Sequence, residues 1–282
     1  MYVNVVLTVL KLIFGYFAGS ISLIADGYHS LSDLATDVAV LVGSKFSVKP
    51  ADKNHPFGHG KFETFAALFV AIAVIIVGIG IIHETVDNIL SSGKQLNSRM
   101  SWVAVIAIIS LVSKEWLYKA TMKIARITRS SAVEANAWHH RSDALSSLVV
   151  LFGAVVSLLG WHWGDLVAGM LVGLMIIIVG GKLGFDSIAD LTDVSAGKEI
   201  IEDISKVLDN SAGIHDWHRL RVRRIGRELI MDLHVTIDGD LSVREGHKII
   251  DKVEKQIYNT LSWPVQITIH LDPYPLTTAD EG

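Results

Sequence analysis

The sequence predicts a multi-pass α-helical membrane protein, with six transmembrane helices in residues 1–190, followed by a small cytoplasmic α+β domain over 196–282. Three observations predict it. Half of the residues are apolar, only 19% are charged, and the mean hydropathy is +0.43, a balance foreign to ordinary soluble domains. The apolar residues fall in six stretches, roughly 2–18, 22–46, 63–83, 100–119, 142–160 and 165–185. Most of these approach the ~20 residues that span a ~30 Å hydrocarbon core as a helix. From about Ala196 the long apolar runs stop, and shorter patterns of helical and strand period replace them.

Taken in order, the first stretch is apolar with one internal Lys11. It lacks a basic leader and an Ala-x-Ala cleavage site, so it reads as a first membrane helix rather than a signal peptide. It is short for a span, which points to a natural start upstream of Met1. The second stretch is the most polar, carrying Asp26, His29, Asp33 and Asp37. A span with that many ionisable groups has to face protein or water, not lipid. The third is uncharged from Phe65 to Ile82, and the fifth opens on His139 and Asp143. Small residues such as Gly78, Gly80, Gly169, Gly173, Gly180 and Gly181 suit close helix packing.

The connections have sides. Lys45, Lys49, Lys53 and Lys61 lie between the second and third stretches, and Lys119, Lys123, Arg126, Arg129 and Arg141 between the fourth and fifth. The turns at Ala18–Ser22 and Gly160–Gly164 have no Lys or Arg, and residues 84–100 have only Lys94 and Arg99. The positive-inside bias therefore puts both basic loops, both termini and the tail in the cytoplasm. His83 and His162 fall at outer helix ends, where a polar cap is ordinary.

In the tail, Ile200–Leu208 reads as an amphipathic helix, and Leu220–Ile225 and Leu229–Ile237 as two strands around Gly226. Val243–Tyr258 reads as a helix opened by Ser242, with Glu245 at capping-box spacing. Val265–Leu271 reads as a last strand, ended by Pro273 and Pro275. The order α-β-β-α-β fits a sheet covered by helices.

The chemistry is carried by His and carboxylate. There is no Cys among the 282 residues but there are 12 His, so thiolate ligands and disulfides are excluded. A formal net charge of −4, with the basic residues dispersed, gives no reason to expect nucleic acid. No HExxH or Gly-x-Ser-x-Gly pattern suggests an enzyme. One spelling occurs twice: His29 followed by Asp33, and His139 followed by Asp143. Residues four apart share one face of a helix, so the two segments offer two imidazoles and two carboxylates, a donor set that tetrahedral Zn²⁺ accepts. A lone His-x-x-x-Asp in a soluble helix is usually a local ion pair. In helices of hydrocarbon length, ionisable groups are costly and mark transport pathways. Asp26, one turn before His29, is expected to line the same cavity. His140 points about 100° away from His139 and is expected at the interface.

Two further clusters stand out. Asp52, His55 and His59 lie in a loop whose Gly58 and Gly60 allow the backbone to curl. Their spacing is equally compatible with a polar loop carrying incidental His. In the tail, His218, His234, His270 and Asp272 fall on expected strands and His247 on the second helix. His270 and Asp272 share a strand face. The residues alone also allow scattered surface His here, with His215 among them.

The chain resembles the cation diffusion facilitators, divalent-metal/proton antiporters that include the bacterial ferrous-iron/zinc efflux pumps. The likeness rests on SISLIADGYHSLSD, PADKNHPFGHGK and VEANAWHHRSDALSS, and on WHRLR, LHV, EGH and IHLDP in the tail. It implies a transport site of His29, Asp33, His139 and Asp143, a loop site of Asp52, His55 and His59, and a binuclear tail site of His218, His234, His247, His270 and Asp272. It also implies a homodimer, with the tail a ferredoxin-like, metallochaperone-like fold, in the lipid bilayer of a bacterial inner membrane, with protons as counter-ion. A charge interlock of Lys61 with Asp193 is implied as well. His29, where several bacterial relatives carry Asp, resembles the zinc-selective vesicular members. That makes Zn²⁺ the expected substrate and regulatory ion, with Fe²⁺, Cd²⁺, Co²⁺ and Mn²⁺ as the other candidates.

Overall fold

The computed structural model describes residues 2–47, 49–90, 99–128, 131–161, 163–226 and 228–274. Lys94, Arg129, His162 and Pro275 lie outside the described residues. The chain divides into two compact units, Met1–Leu41 with Ala67–Phe185, and Val42–Ala66 with Asp186–Gly282. The second unit thus includes the loop that follows the second helix as well as the tail.

The first unit is built from six helices, α1 (Tyr2–Ala18), α2 (Ile21–Ser47), α3 (Lys61–Leu90), α4 (Met100–Thr128), α5 (Ser131–Leu158) and α6 (Gly164–Leu191), of which α2, α3 and α6 run on into the second. Four of them, α3 to α6, are long and apolar enough to cross a membrane by length and composition. Helix α1 has 17 residues, and α2 owes its polarity to the acidic and His residues noted above. Apolar side chains including Phe69, Ile76, Phe152 and Ile178 are exposed on the outside of the helices, a surface fit for lipid rather than water. Inside, Leu23, Val103, Val150, Val172 and Ile176 form a close-packed core. Gly78 on α3 and Gly173 on α6 let two backbones approach. A Cβ added at Gly78 would meet Ile177 at 2.7 Å and the Gly173 carbonyl oxygen at 3.2 Å.

Asp165 fixes the first turn. Its Oδ2 accepts from the Ile21 amide at 2.8 Å, and its Oδ1 accepts from Ser20 Oγ at 2.6 Å and Ser22 Oγ at 2.5 Å. A buried carboxylate from α6 thereby caps the N-terminus of α2, where free amides and the helix dipole favour negative charge.

The tail of the second unit runs α7 (Lys198–Asp209), β1 (Asp216–Ile225), β2 (Glu228–Asp238), α8 (Val243–Thr260) and β3 (Val265–Tyr274). This is the α-β-β-α-β order read from the pattern, with longer strands. Gly226 turns the hairpin at φ +59, in the region where a side chain is disfavoured. Ser242 caps α8 with its side chain accepting from the Glu245 amide while Glu245 reaches back, a complete capping box. Gly246, Ile250, Val253 and Ile257 form the buried stripe of α8, packed with Ile204 and Leu208 of α7 over Leu229, Met231, Leu233 and Val235 of the central strand.

The sheet order is β1-β2-β3, with β1 antiparallel and β3 parallel to β2. Strand β3 runs through Pro273, which the pattern takes as its end. An edge strand tolerates a residue without an amide hydrogen. A bulge interrupts β1 between His218 and Arg221, where Arg219 sits at φ 53.

Candidate metal centre

In the helical unit, donor atoms of His29, Asp33 and Asp143 all lie within 4.8 Å of one another. The i, i+4 spacing places His29 and Asp33 on one face of α2, and α5 brings Asp143 across. His29 and Asp143 are buried and Asp33 is partly so. His29 Nδ1 and Asp33 Oδ2 are shut off from solvent without a hydrogen-bond partner among the described residues. Buried polar atoms are normally satisfied, so an unsatisfied imidazole nitrogen and carboxylate oxygen on two converging residues fit a pair of metal ligands.

His139 stands apart from that trio. Its Nε2 is 3.7 Å from Asp143 Oδ1, and its side chain is 53% exposed. The other Asp143 oxygen, Oδ2, meets Lys114 Nζ of α4 at 2.7 Å. Asp26 is also engaged elsewhere: Lys11 Nζ lies 2.9 Å from its Oδ2, and it accepts from Ser146 Oγ at 2.6 Å and Ser147 Oγ at 2.9 Å. Lys11 also donates to Ser30 Oγ at 3.0 Å, and Ser147 meets Ser110 of α4 at 2.8 Å. A polar network thus ties α1, α2, α4 and α5 together beside the three donors. The sequence reading missed both lysines as participants. Each is a lone ammonium inside an apolar stretch, and that signal alone calls for a buried partner.

In the second unit, Asp52 gathers its loop. Its Oδ1 accepts from the His55 amide at 2.7 Å and the Asn54 amide at 2.8 Å, while its Oδ2 faces His59 Nε2 at 3.4 Å. The His55 and His59 rings are 4.3 Å apart between centroids, and the three residues form a potential metal-holding group. The His55 amide, followed by that of Asn54, holds the Asp52 carboxyl below its ordinary pKa. Gly58 has φ +80, and Gly60 passes so near the hairpin that a Cβ there would meet Ile225 at 2.9 Å.

On the sheet, the strand register sets His218 opposite His234, and His234 opposite His270, so three imidazoles form one row across β1, β2 and β3. Asp272, buried at 9% side-chain exposure, is shared among them. Its Oδ2 is 3.0 Å from His234 Nδ1 and 3.5 Å from His218 Nε2, and its Oδ1 is 3.2 Å from His270 Nε2. His218, His234 and Asp272 converge closely enough for one ion. His270 is more exposed, and His247 lies on α8 opposite Asp251 at 3.8 Å, outside the converging group. His215 stacks on Tyr274 with ring centroids 4.9 Å apart.

Lys61 Nζ lies 3.0 Å from Asp193 Oδ1. The Lys61 hydrogen bond, assisted by the charge of Arg223, holds the Asp193 carboxyl below its ordinary pKa.

Comparison with known proteins matches residues 1–192 to the model of the cation efflux transmembrane domain and residues 196–274 to that of the cation efflux protein cytoplasmic domain. Metal tolerance protein C1 of Arabidopsis thaliana is 36% identical over 280 residues, 95% of this chain. The chain spans 59% of that relative's length. Manganese efflux system protein MneP of Bacillus subtilis is 31% identical over 278 residues, covering 96% of this chain and 93% of its own. The metal-bound C-terminal domain of the CzcD transporter from Thermotoga maritima is 28% identical, with a TM-score of 0.26, over 27% of this chain and 90% of that one.

Proposed function

Because the chain belongs to the cation efflux family, the cation diffusion facilitators, we propose that it exports a divalent metal cation from the cytoplasm in exchange for protons, with Zn²⁺ as its main substrate. The observation that carries this reading is the convergence of His29, Asp33 and Asp143 from two helices, with His29 Nδ1 and Asp33 Oδ2 unsatisfied. His139, 3.7 Å from Asp143, supplies the fourth ligand when its ring swings inward. Two nitrogens and two oxygens suit tetrahedral zinc.

Ligands must shed protons to coordinate, so loading the site releases protons. Imidazole titrates close to neutral pH, so protons arriving from an acidic outer side compete with the metal and eject it outward. Alternating access then needs two arrangements with different affinities for the ion. The loop and sheet clusters bind cytoplasmic metal and bias that equilibrium. The working unit is a homodimer in a cell membrane with both termini in the cytoplasm.

A second reading makes manganese the substrate, since one relative of 31% identity and near-complete coverage is named a manganese efflux protein. Mn²⁺ prefers harder oxygen ligands than the two imidazoles proposed here. Purified protein in vesicles carrying a pH gradient separates the readings. Zinc flux exceeds manganese, iron, cobalt and cadmium flux, and Asp33→Ala or Asp143→Ala abolishes it in protein that remains monodisperse. Normal transport by Asp143→Ala overturns the site, and absence of any flux in the unmodified protein leaves a metal sensor of the same fold.

A further inference from the structure

Two buried lysines meet two buried aspartates among the helices of the first unit, and the two pairs differ in kind. Lys11 and Asp26 are closed off. Ser30 takes a Lys11 hydrogen, and Ser146 and Ser147 occupy both oxygens of Asp26 alongside the ammonium. That pair ties α1, α2 and α5 together, and both Asp26 oxygens are already engaged. Lys114 and Asp143 are open on one side. Lys114 holds Oδ2 at 2.7 Å, with side-chain exposures of 2% and 6%. The other oxygen, Oδ1, faces His139, and the carboxyl group belongs to the cluster with His29 and Asp33.

Asp143 is therefore shared between a resident cation and the place where a divalent ion would sit. Resting on the exporter reading above, we propose that Lys114 is a tethered competitor. Its ammonium neutralises Asp143 while the site is empty, must be pushed aside for the metal to load, and promotes release when it returns. The charges require this competition. Asp33, Asp143 and Lys114 sum to one negative charge, and a dication beside an unmoved ammonium suffers strong repulsion in a low-dielectric interior. Lysine suits the task as a compact charge on a flexible stem. Binding energy spent on displacing it lowers affinity for the ion and prevents the site from becoming a trap.

The test is zinc flux by the full chain in vesicles, with KM and kcat determined separately. Lys114→Met and Lys114→Gln remove the competing charge and lower KM for Zn²⁺ by about tenfold, the lower end of what groups touching a metal ligand command, while kcat falls because release slows. Lys114→Arg keeps the charge and does not lower KM. A role confined to holding the fold raises KM in every variant, so an unchanged or raised KM in a monodisperse neutral variant overturns the proposal. Should neither neutral variant fold, labelling of the unmodified protein by a membrane-permeant amine reagent decides. Zinc accelerates modification of Lys114, and the acceleration vanishes in Asp33→Ala; equal rates with and without zinc overturn it. Absence of flux in the unmodified protein refutes the exporter reading alone. Zinc binding then reads the competitor, since the increment lost in Asp33→Ala tightens in Lys114→Met, and an increment that does not tighten overturns it.

Discussion

Asp193 grips two cations from distant parts of the chain at once: Lys61 Nζ lies 3.0 Å from its Oδ1 and Arg223 Nη1 2.9 Å from its Oδ2. The carboxylate sits at φ 59, a conformation that Asp and Asn tolerate better than most residues. It joins the start of α3 to strand β1, both in the second unit. Because its folded pKa is depressed, its stabilisation is fully present above the unfolded value of about 3.9 and is lost as pH falls through the folded one. Asp193→Asn keeps the backbone preference and loses the charge. It should lower Tm at pH 7 by about 1–4 °C, the shift expected for a partly exposed pair, with the difference narrowing as the pH is taken below the unfolded value. Thermal melts at pH 7 and through the acid range check this, and a deficit that stays constant into strong acid would refute it.

The Lys11–Asp26 pair should behave as a clamp. Asp26→Ala strands a buried ammonium and should cost about 3–5 kcal/mol. Replacing both partners with apolar residues, Lys11→Met with Asp26→Leu, should recover most of the loss. Unfolding titrations in detergent measure both, and a double variant no better than the single one would contradict the assignment.

Asp272 is the common partner of three His on the sheet. Zinc at a hundred times its dissociation constant should stabilise the cytoplasmic domain by about 2.7 kcal/mol. Asp272→Ala should remove most of that gain, as followed by calorimetry with and without zinc.

Exchanging His29 for Asp hardens the donor set. His29→Asp should raise the ratio of manganese to zinc flux severalfold, in line with the preference of Mn²⁺ for carboxylate over imidazole. Parallel flux measurements with each metal test it, and an unchanged ratio would remove His29 from the selective ligands.

Local rules are what sequence carries best. The capping box at Ser242 and Glu245, the turn at Gly226 and the helical face shared by His29 and Asp33 all follow from spacings of two to four residues, and each could be read directly. What could not be read is which distant elements are neighbours. Lys114 and Asp143 lie 29 residues apart and Lys11 and Asp26 lie 15 apart; no periodicity says that such residues meet. The parallel pairing of β2 with β3, and the bulge that sets His218, depend on packing across the sheet rather than on the pattern of one strand. The contacts of residues 42–66 with the tail, such as Gly60 against Ile225 and Lys61 against Asp193, are likewise invisible in composition.

The imidazoles of His218, His234 and His270 occupy one cross-strand line, and side chains alternate faces along a strand. A slip of one position by β3 would send His270 to the far side and carry Asp272 with it. An ion held there would therefore be a proofreader of strand alignment: it would reward only the correctly threaded sheet, and a misaligned β3 would cost the chain that site before it cost its shape.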